Sequence, residues 1–98
     1  MRNRIYLSGM MSGLSEEEYT RRFNDAEERL KGKYKVFNPV RWGWLLKHVP
    51  YRFALAFDIM MMCLCDRVYM LEDWTLSDGA RAEHQFARSI GMFVDYEK

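Results

Sequence analysis

The chain turns from a loop into a helix at Ser77-Asp78-Gly79-Ala80-Arg81-Ala82-Glu83-His84-Gln85-Phe86-Ala87. Ser77 is a favourable N-cap residue, because its hydroxyl can accept a hydrogen bond from a free backbone N–H of the first turn. Ala80, Ala87 and Ile90 follow at helical spacing and predict an apolar stripe along the helix. Glu83 interrupts this stripe: it stands three residues after Ala80 and four before Ala87, so its carboxylate points in the same direction.

The position of Glu83 allows two interpretations. An isolated carboxylate that faces a core is costly unless it is paired or lines a cavity. A helix start beside a strand end is also where open α/β sheets bind their ligands. The alternative is a glutamate at the edge of the stripe that reaches water, and this segment alone leaves both interpretations open.

The N-terminal part predicts a short strand and a loop rich in glycine and serine. The strand covers residues 4–7, which are mostly β-forming. The loop that follows contains Ser8, Gly9, Ser12 and Gly13. Glycines let backbone N–H groups approach a ligand and serines add donors, so the loop could hold a phosphate or a sugar. It lacks the P-loop and dinucleotide-binding patterns, and a plain strand–helix connection is an equal alternative.

The remaining patterns predict one α/β domain over residues 1–98. Further elements are expected at a helix from Ser15 to about Lys31, a strand at 34–37, a helix at 51–65, a strand at 66–71 and a strand at 92–96. Short joints between them imply right-handed crossovers and a parallel sheet of about four strands, with helices on both faces. The ends of the first and third strands then lie on one edge with Glu83, together with the indole of Trp74.

The predicted helix Tyr51–Cys65 is apolar almost all round. Such a helix must be covered on both sides, so we expect a homodimer or a higher homo-oligomer through this helix. Asp58 stands out within it. It either forms a buried salt bridge, with Arg52 or another arginine, or it is a second carboxylate that faces the cavity of Glu83.

Two tryptophans, Trp42 and Trp44, lie in a less regular segment between Val40 and Pro50. Three roles are open for them: an amphipathic half-helix over the core, one wall of a pocket, or a dimer surface. His48, in the same segment, is expected at the surface.

The composition excludes several classes of function. Fifteen Lys+Arg against fourteen Asp+Glu leave no basic surface for duplex nucleic acid or an anionic membrane. The apolar run Phe53–Cys65 is too short to span a bilayer, and the N-terminus does not have a signal-peptide pattern. Cys63 and Cys65 are poorly placed for a disulfide and lack zinc-ligand spacing with the histidines. We therefore expect a reduced, cytoplasmic protein without metal or cofactor.

Several motifs, spread over nearly the whole chain, resemble the small phage- or bacterium-encoded DUF4406 proteins. The motifs are Tyr6-Leu7-Ser8-Gly9, Met11-Ser12-Gly13-Leu14, Phe23 with Ala26-Glu27-x-x-Leu30, Asn38-Pro39, Asp58 with Cys65-Asp66, and Trp74-x-x-Ser77-x-Gly79-Ala80-x-x-Glu83-x-x-x-Ala87. That family is similar to the nucleoside 2-deoxyribosyltransferases and the 2'-deoxynucleoside 5'-monophosphate N-glycosidases. The resemblance implies a flavodoxin-like (Rossmann-like) sheet.

The resemblance also implies an enzyme that cleaves the base–deoxyribose bond of a nucleoside 5'-monophosphate. Glu83 would attack the anomeric carbon, because a carboxylate stabilises an oxocarbenium-like transition state and can capture the sugar covalently. Asp58 matches a sugar-binding carboxylate of the transferases and is the candidate second acid. The implied substrate-binding residues are Tyr6 near the sugar, Ser77 with Ser8 and Ser12 at a phosphate, and Gly9, Gly13, Trp74 and Gly79 around them. Unlike the enzymes, this chain has Met10 and Met11 in the first loop and no arginine there.

Two further classes of function stay open. One is a non-catalytic protein that binds nucleotides or nucleotide-derived signals in the same cleft, and the other is a structural or regulatory partner protein. Glu83 beside a sugar-sized cavity, with a second acid nearby, would favour the enzyme. A salt bridge from Glu83 to Arg81, Arg52 or Arg88 would favour the binding protein.

Overall fold

The computed structural model describes residues 3–98, apart from the side chain of Trp44, and contains a four-stranded parallel sheet. The strands are β1 (Arg4–Ser8), β2 (Lys35–Phe37), β3 (Arg67–Met70) and β4 (Phe93–Tyr96). Their order across the sheet is β2-β1-β3-β4, and Val68 pairs with Tyr6 on one side and with Val94 on the other. This order corresponds to the first four strands of a flavodoxin-like sheet, so the predicted fold class is confirmed.

The helices lie where the sequence predicts them, to within about two residues. They are α1 (Glu16–Leu30), α2 (Gly43–Leu46), α3 (Tyr51–Cys63) and α4 (Asp78–Ser89), with 3₁₀ helices at Pro39–Trp42 and Trp74–Leu76. Ser15 caps α1, since its hydroxyl accepts a hydrogen bond from the Glu18 N–H at 3.1 Å. Helix α3 ends two residues earlier than predicted, because Leu64 and Cys65 close its last turn.

Two hydrophobic clusters lie on opposite faces of the sheet. Phe23 and Ala26 of α1 pack with Leu7 on one face. The other face carries Tyr6, Val68 and Met70 of the sheet with Met62, Ala80 and Ala87 of the helices. Neighbouring residues of one strand point to opposite faces. The helices therefore cover both faces of the sheet, as predicted.

The carboxyl ends of β1 and β3 lie side by side at the edge of the sheet where a ligand site is expected. The N–H of Leu71 donates to the carbonyl oxygen of Ser8 at 2.8 Å. A Cβ on Gly9 would lie 2.7 Å from Leu71 Cδ1 and 2.8 Å from Leu71 Cβ, which is too close for any side chain. Only glycine allows this approach. The helices that follow β1 and β3 lie on opposite faces, so this edge is a topological switch point.

Helix α3 is less covered than its composition predicts. Only Met62 of this helix is fully buried, whereas Tyr51 is 60% exposed and Phe53 and Met60 are each 56% exposed. The second cover that the sequence predicts is therefore not supplied by the described part of the chain. Within residues 3–98, no helix combines the length and apolar character that crossing a bilayer requires.

The segment that carries the tryptophans is mostly helical. Trp42 is half-buried, packs against the core, and meets the ring of Phe57 edge-on at 5.9 Å between centroids. His48 is exposed, as expected. The side chain of Trp44, and Met1 and Arg2 of the predicted N-terminal pattern, lie outside the described residues.

Candidate functional site

A cavity of about 550 Å³ opens at the switch-point edge of the sheet. Its volume lies within the range of small-molecule sites. The lining includes Tyr6 of β1, the loop residues Ser8, Gly9 and Ser12, Asp58 of α3, and Ser77, Gly79 and Glu83 at the start of α4. Most of the residues that the sequence identifies as site candidates are thus brought to one cavity.

Glu83 is a buried carboxyl group inside this cavity. Its residue is only 6% exposed, so the interpretation in which it reaches water is wrong. The helical stripe turns it inward, and Ser8 Oγ donates a hydrogen bond to Glu83 Oε1 at 2.5 Å. Among the described residues, no lysine, arginine or histidine forms an ion pair with it.

The environment of Glu83 favours its neutral form. Burial raises the pKa of this carboxyl from 4.5 to about 8, against the hydrogen bond from Ser8, which lowers it. The charge of Asp58 raises this pKa further. The nearby Tyr6 hydroxyl lowers it, although the geometry between the two groups does not complete a hydrogen bond.

Tyr6 places an unpaired hydroxyl in the cavity. The residue is fully buried, and its Oη has no hydrogen-bond partner among the described residues. Burial raises the pKa of this phenol well above its ordinary value, and the charges of Glu83 and Asp58 act in the same direction. A buried polar group without a partner is costly, so the hydroxyl is available to a ligand.

Asp58 faces the cavity from α3. Trp42 Nε1 donates to Asp58 Oδ1 at 3.0 Å, and no ion pair joins Asp58 to Arg52 or to another cation among residues 3–98. Burial raises the pKa of Asp58, and the hydrogen bond from Trp42 lowers it. The structure thus places Asp58 as a second carboxyl of the cavity and not as half of a salt bridge.

The start of α4 is held by Ser77. Its hydroxyl accepts a hydrogen bond from the Ala80 N–H at 3.2 Å, which is the predicted N-cap. A Cβ on Gly79 would lie 3.1 Å from Tyr51 Oη, so glycine makes room for the tyrosine at this point. Asp78, in the first turn, also lines the cavity and pairs with Arg81.

Gly13 and Trp74, two of the predicted site residues, do not line the cavity. Gly13 has a φ of +90° in the turn that closes the first loop. Trp74 instead stacks on His84, with 4.2 Å between ring centroids, and His84 Nε2 shares a hydrogen bond of 2.7 Å with Tyr96 Oη. Both residues therefore shape segments beside the cavity.

The cavity also has an apolar wall that was not predicted from the sequence and that includes Tyr51, Leu55 and Leu76. Tyr51 and Leu55 stand seven and three residues before Asp58, on one face of a helix. That spacing could have identified them. Leu76 gives no such signal, because its direction depends on the 3₁₀ helix that carries it.

A second cavity, of about 470 Å³, lies on the other side of Asp58. It shares Met11, Pro39, Ala54 and Asp58 with the first cavity and adds Tyr19 and Trp42. Trp42 therefore combines two of its expected roles, since it packs on the core and forms a pocket wall. Asp58 is accessible from both cavities.

Fold and site define an α/β protein with a ligand cavity at the switch point of a parallel sheet, containing a buried carboxyl beside a second one. The chain belongs to the DUF4406 family, described as "Domain of unknown function (DUF4406)", which it matches over residues 3–96. The predicted resemblance to the DUF4406 proteins is thereby confirmed. No curated protein matches the chain.

Proposed function

We propose that this protein is an enzyme, an N-glycosidase or deoxyribosyltransferase that cleaves the bond between base and sugar in a nucleoside or nucleotide. One observation carries the proposal: Glu83 is buried in a nucleoside-sized cavity, beside Asp58 and without a cation among the described residues. This is the arrangement that the motif resemblance requires of the enzyme. The kinship with the deoxyribosyltransferases remains a prediction.

In the proposed reaction, a Glu83 oxygen attacks the anomeric carbon while the base departs. The transition state carries positive charge on the sugar, and the Glu83 carboxylate stabilises it. Asp58 protonates the departing base. Water, or a second base in a transfer reaction, then displaces the sugar from Glu83. The hydrogen bond from Ser8 orients the attacking carboxylate.

The proton on Glu83 decides when this reaction can start. A carboxyl with a pKa of about 8 is mostly neutral at neutral pH, whereas a nucleophile must be ionised. We therefore expect kcat/KM to rise with pH up to about 8, since this ratio reports on the free enzyme.

The same proton is the observation that favours the alternative function, a non-catalytic nucleotide-binding protein. A neutral Glu83 can donate a hydrogen bond to a ligand but cannot attack it. In this alternative the cavity is a recognition site, and the raised pKa of Glu83 serves binding.

The deciding experiment measures base release from nucleosides and 5'-monophosphates, ribo and deoxy. Wild type is compared with Glu83→Gln and with Glu28→Gln, a control at an exposed position of α1. Release by wild type and Glu28→Gln, but not by Glu83→Gln, supports the enzyme. No release from any substrate, together with thermal stabilisation by nucleotides, would establish the binding protein instead.

We also propose that a second copy of the chain covers α3. The side of this helix that faces away from the cavity carries Phe53 and Met60, each 56% exposed, and a second copy offers the same apolar surface about a two-fold axis. Sedimentation should show a dimer or larger species for wild type and for the control Arg21→Glu, and a monomer for Phe53→Glu.

Both cysteines are free thiols, which suits the expected cytoplasmic location.

A further inference from the structure

The charged groups around the main cavity have one sign. Among the described residues that line it, Asp58, Asp78 and Glu83 carry carboxyl groups, and none is a lysine, arginine or histidine. Arg81 does not line the cavity, but it forms an ion pair with Asp78 and so compensates part of its charge. Arg81 also donates a hydrogen bond to the carbonyl oxygen of Thr75 at 3.1 Å. Asp58 and Glu83 have no such compensation within residues 3–98. Ionised Asp58 and Asp78 therefore repel an anion, and Glu83 adds to this repulsion when it loses its proton.

The groups that the sequence assigns to a phosphate are engaged elsewhere. Ser8 Oγ donates to Glu83, and Ser77 Oγ accepts from the backbone of Ala80. The first turn of α4, whose free N–H groups would attract an anion, carries the carboxylate of Asp78. Of the predicted phosphate-binding serines, only Ser12 has no hydrogen bond in the described part of the chain. This set of groups does not favour a phosphate.

Two tyrosines show that the cavity is built for a ligand. Tyr6 Oη is fully buried and unpaired, and it lines the cavity. Tyr51 also lines the cavity and is 60% exposed, so it lies where the cavity meets solvent. After burial, the charges of Asp78, Glu83 and Asp58 all raise the pKa of Tyr51, so each of these carboxyl groups acts on the Tyr51 side chain when it is ionised. An aromatic face beside such groups attracts cations.

We propose that the cavity selects nucleosides whose base carries a fixed positive charge, as in an N-alkylated purine or a pyridinium, and that it does not require a 5'-phosphate. This inference rests on the proposed function, because it names the substrate class of the same site. The cationic base lies between Asp58 and Tyr51, and the sugar lies toward Glu83 and the free hydroxyl of Tyr6.

The chemistry of such a substrate fits the site. As the bond between the anomeric carbon and the ring nitrogen breaks, its electron pair neutralises the base, so the proton that Asp58 gives to a neutral base is not needed for this substrate class. A Glu83 oxygen bonds to the anomeric carbon at the same time. Water then replaces Glu83 on the sugar and releases one proton to solvent. The net reaction converts the cationic glycoside and water into free sugar, neutral base and a proton.

A bound cation also favours the ionised form of Glu83, which the proposed reaction requires. Positive charge near this carboxyl lowers its pKa, and the groups that face it from β1 and α3 are Tyr6, Asp58 and Tyr51. Binding should therefore release a proton and produce the ionised nucleophile. We expect the pH profile of kcat, which reports on the complex, to rise at lower pH than that of kcat/KM.

The test compares nicotinamide riboside, which carries a pyridinium cation, with its neutral dihydropyridine form. Calorimetry on Glu83→Gln, whose amide imitates the neutral carboxyl, gives both dissociation constants without turnover. We expect the cation to bind about tenfold more tightly, and this ratio to fall with added salt. Asp78→Asn should reduce the ratio about two- to fivefold, since Asp78 is exposed, and the control Asp25→Asn on α1 should not change it.

The 5'-monophosphates of these two nucleosides are measured in the same way. Equal or tighter binding of the neutral nucleoside would overturn the inference, and so would tighter binding of either 5'-monophosphate than of its nucleoside. Base release by wild type is measured on the same four compounds and on their 2'-deoxy forms. If the wild type releases base but the cation does not bind more tightly than the neutral form, the proposed enzyme is supported and the selectivity for a cation is rejected. A preference for the cation without any release removes the enzyme and leaves a cation-selective binding site.

Discussion

Two helix carboxyl groups, Glu27 of α1 and Glu83 of α4, turn toward strand ends but differ in their partners. Asn38 Nδ2 donates to Glu27 Oε1 at 3.0 Å, and the guanidinium of Arg41 pairs with Oε2. Burial raises the pKa of Glu27, but hydrogen bonds from Asn38 and Arg41 outweigh it and hold this pKa below its ordinary value. Among the described residues, the hydroxyl of Ser8 is the one hydrogen-bond partner of Glu83, and the pKa of Glu83 rises to about 8.

Glu27 is half-buried and has a cation and an amide as partners, whereas Glu83 is buried and has neither among the described residues, so burial and partners together separate the two carboxyl groups. Glu27 is neutralised by a cation and an amide, so it serves to hold the segment after β2. The ionised form of Glu83 is unfavourable in its cavity, because no cation among the described residues pairs with it. In the proposed reaction, the positive charge of the transition state would stabilise this ionised form. Four experiments test this contrast.

The largest effect is expected for the activity of Glu83→Gln. Loss of the nucleophile should lower kcat on the order of a thousandfold or more, whereas Glu27→Gln should retain nearly full kcat. Steady-state base release at saturating substrate measures both variants. A Glu83→Gln enzyme with most of its activity would remove Glu83 from the reaction.

The pH dependence of stability should separate the two glutamates next. The folded-state pKa of Glu83 is raised from 4.5 to about 8, so its stabilisation is complete below about pH 4.5 and is lost as the pH rises to about 8. The linkage relation puts the full loss on the order of 5 kcal/mol. Glu27 has the opposite sign: its contribution is present above its ordinary pKa and is lost as the pH falls through the lowered value.

Urea unfolding at several pH values measures these slopes. Glu83→Gln should unfold at higher urea than wild type near pH 8, and the gap should close toward about pH 5. Parallel stability curves for wild type and Glu83→Gln over this range would show that Glu83 is ionised in the folded protein.

A smaller loss of stability is expected when the partners of Glu27 are removed. Asn38 is fully buried and donates to Asn24 and Glu27, while its own oxygen accepts from the Val40 N–H. Asn38→Ala should therefore cost about 1–3 kcal/mol of unfolding free energy. Asn24→Ala, which removes a single one of these contacts at an exposed position, should cost less; equal losses would contradict the proposed role of Asn38.

The smallest effect concerns Ser8, the partner of Glu83. Ser8→Ala removes the hydrogen bond that lowers the pKa of Glu83, so the rise of kcat/KM with pH should shift upward by about one unit. Activity near neutral pH should fall about tenfold for the same reason. The control Ser12→Ala removes a loop hydroxyl that has no bond to Glu83 and should leave the position of the pH profile unchanged.

Much of this contrast could be predicted from the sequence. The position of Glu83 within the Ala80–Ala87 stripe fixes its direction, because helical geometry is local and regular. The parallel sheet follows from strands and helices joined by short connections, since crossovers have one hand. The Gly9 approach to Leu71 is also consistent with the loop that the sequence indicates after β1.

The remainder depends on contacts between distant segments. Trp74 was expected at the site, but stacking on His84 and packing against the core turn its ring away. The pairing of Glu27 with Asn38 and Arg41 was not predicted either, because no periodicity links α1 to the segment after β2. The state of Glu83 required the structure, since burial and the charge of Asp58 set its pKa.

Helix α3 connects the cavity with the apolar surface on its other side. Its 13 residues include Tyr51 and Asp58, which line the cavity, and Phe53 and Met60, which are exposed. If a second copy binds this helix, as proposed, it and a ligand in the cavity would contact the same helix. By thermodynamic reciprocity, a ligand that strengthens self-association is itself bound more tightly by the assembled form, and its apparent affinity then depends on protein concentration.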